Sequence, residues 1–435
     1  MVGEHDSVWS RVRNESPNCT IMKCICHSLV LCIKHAFEQM PSHLGFILSE
    51  TPKWFSKSIL RREAYKKLFD IVNENTESAS LSHPFQKFLQ TRWLVRGKVI
   101  FNILLNWQEL RAYFSVAELE GGAQVRYKAR LIADMLRDPL NLLYFHFLSP
   151  IVAEFERVNG FFQATDIDPH DMIKELSLFS DSLKNRVFDV NRAQLPLAEV
   201  DFGAKFLFEA DALVERNKGD NSMLLKVMEA KARCHKMLLE ATRQVSKRLP
   251  PSRDVFQALR YLHPSRVLSQ IGRVPLAKLP MQYLMVDKLS EIDNQYRNIF
   301  LVNWRDEPVF KDGIPQEAVP FWSGVLQYQN SVQEFPFADL AAYALACLTT
   351  PTNNAVVERI FSYVTNVKTK QRDRMGVTML ESIVRIRTHL HFGEKCCKDF
   401  VPSQRMLSLF SSDIMYPSAV SNKDEEDEIV LAEFV

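Results

Sequence analysis

Residues 222–249 read SMLLKVMEAKARCHKMLLEATRQVSKRL, a stretch in which a Met, Leu and Ala face alternates with Lys, Glu and Arg. Apolar and charged residues alternating with a period near 3.6 mark a long amphipathic helix. The same pattern extends outward from it. Glu50 to Asn75 carries Trp54, Phe55, Ile59, Leu60, Leu68, Phe69 and Val72. Thr91 to Val116 is another amphipathic run, Ala129 to Phe162 is rich in Leu and Phe with Pro139 and Pro150 as punctuation, and Met172 to Phe188 follows. Gly is scarce at 13 and Phe abundant at 29, which favours long helices over tight turns. No internal repeat is evident. The expected fold class is mainly α.

The flanks read differently. A short helix is expected from Asp6 to Asn14, with Asp6 as its N-cap, and Pro17 and Asn18 end it. Thr20 to Cys26 reads as a short buried strand, because β-branched residues and small thiols suit one. A helix follows from His27 to Gln39, ended by Pro41. Breakers gather between Pro275 and Pro320 around a helix from Asp287 to Phe300, and a compact block runs from Val319 to Phe392. After Pro417 the chain turns acidic, from Asp424 to Glu428, and reads as disordered.

The chain has 435 residues, 46% of them hydrophobic, enough for a sizeable core and for two or three domains or one core with a large insertion. A formal net charge of +2 argues against wholesale nucleic-acid binding. The N-terminus has no apolar signal segment, and no run is long enough to span a membrane. The eight cysteines are spread along the chain, as expected of thiols in a reducing compartment.

The most specific motif is LTTPTNNAVVERIFS at 348–362, continuing as KTKQRDRM at 368–375. Pro351 suits the first turn of a helix, with Thr350 as its cap. Val357, Phe361 and Val364 share one helical face, and Glu358 and Arg359 fall off it. The stretch resembles the C-terminal dimerisation region of hAT-family transposases through Pro351, Ala355, Glu358, Arg359, Phe361, Ser362, Lys368, Thr369, Arg372 and Arg374. Phe321-Trp322 and residues 335–342 resemble that region's lead-in helices. Thr91-Arg92-Trp93, with Arg96, is similar to the start of the family's helical insertion, where a Trp stabilises a flipped base. Trp93 reads either as such a stacking residue or as the core anchor of a helix. Cys24 and His27 match the family's Cys-x-x-His element on the last strand of a ribonuclease-H-like sheet. Zinc would need four converging ligands, and His27, Cys32 and His35 do not obviously converge with Cys24, so buried thiols and a hydrogen-bonded His are expected and no metal.

The resemblance implies a truncated ribonuclease-H-like remnant at 1–45, a helical insertion at 46–310, a dimerisation region at 319–392 and a disordered acidic tail at 418–435. It implies three carboxylates holding two metal ions, of which only Glu358 falls in this sequence. The two aspartates would precede Met1. One carboxylate cannot hold two divalent ions, so no cofactor and no enzymatic activity are expected. The function implied is dimerisation with an identical chain or a related hAT-derived protein, through Val357, Glu358, Arg359, Ile360, Phe361, Ser362 and Val364, in the nucleus by analogy. Two alternatives stand beside it. One is non-catalytic DNA binding through Arg61, Arg62, Lys66 and Lys67, or through Lys368, Lys370, Arg372 and Arg374. The other is a fragment of a longer, active transposase. The tail, with acids running into Ile429-Val430-Leu431, also resembles SUMO-interacting motifs.

Overall fold

The computed structural model describes residues 7–17, 19, 23–72, 96–164, 167–218, 221–351, 355–369, 372, 374–393 and 395–409, with the side chains of 250–253, 355–359 and 397 left out. The protein is mainly α-helical. Among the described residues the one β feature is an isolated antiparallel bridge between Phe188 and Gln194. The chain divides into two compact units, 1–354 and 355–435.

The first unit contains α1 (Val8–Glu15), α2 (Ile25–Phe37), α3 (Ser42–Ser56), α4 (Ile59–Val72), α5 (Arg96–Leu105), α6 (Trp107–Ala117), α7 (Ala123–Arg137) and α8 (Pro139–Phe161). It continues with α9 (Pro169–Asn185), α10 (Ala204–Arg216), α11 (Asn221–Arg248), α12 (Pro250–Leu259), α13 (Pro264–Val267), α14 (Leu289–Asn298), α15 (Ala318–Gln327) and α16 (Ala338–Leu348). The second contains α17 (Ala355–Val367), α18 (Val377–Phe392) and α19 (Gln404–Leu409).

The spine of the first unit is α8 with α11. Helix α11 is the one read from 222–249, and it buries Val227, Ala230, Cys234, Met237, Leu238, Ala241 and Val245. Its main partner is α2, while α8 packs on α2, α5, α7, α9, α10 and α11. Helix α8 is apolar almost all round, and Phe145, Phe147, Leu148, Ile151, Phe155 and Val158 are fully enclosed, as a helix surrounded by others requires. Fully burying each such side chain is worth roughly 1.5–3 kcal/mol. That exceeds the cost of Pro150, which sits inside α8 without ending it. Pro139 does punctuate: it opens α8, and Asp138 caps it by accepting from the Leu140 N–H at 3.0 Å.

Several expectations are corrected. The cap of α1 is Ser7 and not Asp6, in a reciprocal box where Ser10 N–H donates to Ser7 Oγ (3.1 Å) and Ser7 N–H to Ser10 Oγ (2.8 Å). Ile25 and Cys26 are helical, not the end of a strand, and residues 20–22 lie outside the described set. Ile25, Leu29, Cys32, Ile33 and Ala36 continue one helical stripe, all fully buried; packing of that stripe overrides the β-preference of the segment. Pro41 precedes α3 and does not end α2. The single helix expected from Glu50 is two, broken at Lys57-Ser58, and the first starts at Ser42. The run from Thr91 is likewise α5 and α6 in its described part, broken at Asn106. That side chain is buried, donating to Asn102 O (2.7 Å) and accepting from Tyr65 OH (3.0 Å). Helix α10 has no counterpart in the sequence reading.

The divisions expected at 45 and 310 fall inside one packed unit. Asp168 caps α9 through the His170 N–H (2.7 Å), and its other oxygen accepts from Ala318 N–H (2.9 Å) at the start of α15. Trp322, fully buried, donates Nε1–H to Leu262 O (2.8 Å). These bonds tie α15 to the helices before it, so the division after Asn354 splits the block expected at 319–392.

Candidate functional site

In the second unit, α17 and α18 form a helical hairpin. Helix α17 places Ile360, Tyr363, Val364 and Val367 on one stripe, half-buried except for Val367, which is 1% exposed. Helix α18 carries its half-buried residues at Leu380, Ile383, Val384, Thr388 and Leu390. Tyr363 meets His391 edge to face at 6.1 Å. Gly376 and Gly393 bound α18, and the end is closed by Gly393 N–H donating to His389 O (2.9 Å) and Lys395 N–H to Leu390 O (2.9 Å).

Among its described side chains this hairpin keeps several apolar ones exposed and buries almost none fully. Among its described side chains Val367 is the one that is buried. Phe361 is 64% exposed, Met379 and Ile386 are each 59% exposed, and Val377 and Phe392 are exposed beside them. Met379, Ile383, Ile386 and Leu390 recur at i, i+4, i+7 and i+11, so exposed Met379 and Ile386 widen the apolar stripe that half-buried Ile383 and Leu390 begin. The hairpin also carries cations: Arg372, Arg374 and Arg387 are exposed, Lys368 is half-buried, and Arg385 pairs with Glu381 at 2.5 Å.

The motif residues are distributed as follows. Phe361 and Ser362 are exposed on α17, and Val364 is half-buried there. Val357, Glu358 and Arg359 belong to α17, but their side chains lie outside the described set. Arg92, Trp93 and Lys370 lie outside the described residues altogether. In the first unit, Cys24 is the half-buried residue before α2, and His27 is exposed in its first turn. Cys32 is buried, its thiol pushed up to about 12 by desolvation, and His35 contacts Glu38 at 3.2 Å. Among the described residues no three His, Cys, Asp or Glu side chains converge to hold a metal ion. Of the basic residues expected on α4, Arg61 lies 3.9 Å over the Trp54 ring and donates to Trp54 O (3.3 Å); Arg62, Lys66 and Lys67 are exposed.

One residue escaped the sequence reading. The carboxylate of Glu156, on α8, accepts from Gly97 N–H at 2.9 Å at the start of α5, and desolvation raises its affinity for a proton. A Cβ on residue 97 would fall on that carboxylate, so glycine is what allows the approach. Nearby, Arg96 lies 5.5 Å over the Phe37 ring and Cys26 Sγ–H donates to Asn159 O at 3.8 Å. Helices α2 and α5, which follow the Cys24 and Trp93 motifs, thus meet on one segment of α8. No local pattern in an apolar helix marks Glu156 for this role.

The sequence matches no family model and no curated protein.

Proposed function

We propose that this chain is a dimerisation protein of hAT-transposase descent that performs no nuclease chemistry, and that two copies associate through the α17–α18 hairpin. The observation that carries the reading is the exposure of Phe361, Met379 and Ile386 on a hairpin with a single described buried side chain. Two short helices that bury so little of their own apolar surface are marginal alone. They gain stability by covering that surface with another copy, most simply in a twofold arrangement that sets the same patch against itself. The seam of Met379, Ile383, Ile386 and Leu390 has the spacing of helix-to-helix packing.

On this reading residues 1–45 descend from the end of a ribonuclease-H-like domain, 46–310 from the helical insertion and 319–392 from the dimerisation region. Glu358 is then a relic of a metal-binding set, and the working compartment is the nucleus. The motif residues quoted above are the support for that descent. The helix that begins at Ile25, right after Cys24, departs from the strand on which the family carries this element.

Sedimentation equilibrium of the intact chain from 0.1 to 100 µM tests the proposal. A monomer–dimer equilibrium that persists in 0.5 M salt is expected, because apolar burial survives screening. A monomer across the whole range refutes it. Binding of duplex DNA that disappears with salt, by a protein that stays monomeric, would favour the exposed cations as a phosphate-contacting surface instead.

A further inference from the structure

The cations around the hairpin have a counterpart in the same chain. Residues 355–409 hold ten Lys and Arg against five Asp and Glu, a formal +5, whereas residues 410–435 hold seven acids against one Lys, a formal −6. The two halves of the second unit therefore carry opposite charge of similar size, which a near-neutral total conceals. The tail also follows acids with apolar residues: Asp424 to Glu428, then Ile429, Val430, Leu431 and Phe434. The hairpin presents the complementary order, with Arg385 and Arg387 flanking exposed Ile386, and Arg372 and Arg374 exposed in the connection leading to α18 and Met379.

We propose that the segment 423–435 docks on the α17–α18 hairpin, its acids against Arg372, Arg374, Arg385 and Arg387 and its apolar end over Met379 and Ile386. The tail then regulates association by competing with the second copy for one face, so the inference rests on the dimerisation reading for its consequence though not for the contact itself. Reach is ample. Residues 410–422 span up to about 45 Å when extended, against about 24 Å for the length of α18. Tethering places the tail at millimolar effective concentration, so a contact too weak to detect between separate molecules is populated within one. Its charged part is screened by salt, and phosphate backbones would compete for the same cations.

The test uses the full chain. Phe434→p-benzoylphenylalanine, irradiated at 1 µM in low salt, should cross-link to residues 355–409, and the yield should fall severalfold in 0.5 M salt. Asp424→Asn, Glu425→Gln, Glu426→Gln, Asp427→Asn and Glu428→Gln made together should reduce the cross-link severalfold and tighten the dimer about tenfold at low salt, with no difference at high salt. Cross-links confined to the first unit, or a yield indifferent to the five substitutions, overturn the inference whatever the oligomeric state. A salt-sensitive cross-link to the hairpin in a protein that never dimerises upholds the contact and refutes the dimerisation reading, so the two failures are distinct.

Discussion

Phe361→Ser is the sharpest perturbation of the proposed dimer. In the isolated chain Phe361 is 64% exposed, so removing the ring costs the monomer little. In the dimer the exposed part becomes buried. A Phe side chain buries about 150–250 Å², and the exposed fraction is roughly 130 Å² of it. At about 25 cal/mol/Å² that is about 3 kcal/mol per copy, and about 6 kcal/mol for a symmetric pair in which the ring acts twice. Ordering costs absorb part of any area-based figure, so the expected loss is about 2–4 kcal/mol, or roughly 30- to 1,000-fold in the dimer constant. Sedimentation equilibrium reads that constant. A urea titration at a concentration where both proteins are monomers should give midpoints that agree. A Phe361→Ser dimer as tight as the parent would refute the placement of Phe361 at the interface. A variant that loses monomer stability by more than about 1 kcal/mol would refute the premise that its ring is unpartnered in the monomer.

Three further outcomes concern the first unit. Gly97→Ala should destabilise it by about 1–3 kcal/mol in urea unfolding, because the new methyl group displaces the half-buried Glu156 carboxylate from its backbone donor; adding Glu156→Ala should recover part of the loss, and two additive penalties would contradict the mechanism. Asp168→Ala strands the donors at His170 and Ala318 and should cost about 2–4 kcal/mol. Asp168→Asn keeps one acceptor oxygen and should lose about half as much; equal losses in the two variants would show that the second bond contributes nothing. Burial, above all, lowers the proton affinity of His146, His170 and His235, and His170 also has the tilted ring of His263 4.7 Å away. A base whose folded pKa lies below its unfolded value binds more protons when unfolded. Stability should therefore hold above pH 6.5, fall as the pH drops below it, and level off beneath the folded values. His170→Gln should flatten that slope in urea midpoints measured between pH 8 and 5. The carboxylate of Glu240, held near 2 by Arg243, loses its contribution in a separate window below 4.5.

Helix content was readable because it rests on local periodicity. Residues 222–249 repeat their apolar face for several turns, and α11 covers them to within one residue at each end. Boundaries were less readable where a break depends on a distant partner. Nothing local at Asn106 says that Tyr65 will donate to it and hold the turn between α5 and α6. The segment around Ile25 was misread because its β-branched composition points one way and its burial against α11 another. The candidate site was partly legible: the shared face of Phe361 and Val364 follows from spacing alone, whereas their exposure depends on what the rest of the unit leaves uncovered.

By itself the sequence determined the helical class, the position of α11 and the acidic tail, since each depends on residues only a few positions apart. Only the tertiary structure decided that residues 25–37 are helical, that α15 and α16 belong to the first unit, that Gly97 makes room for Glu156, and that the α17–α18 hairpin keeps Phe361, Met379 and Ile386 in water. Each of these turns on contacts between segments far apart in the chain, or on the lack of them among the described residues, and a local pattern carries no record of which distant surface will cover it.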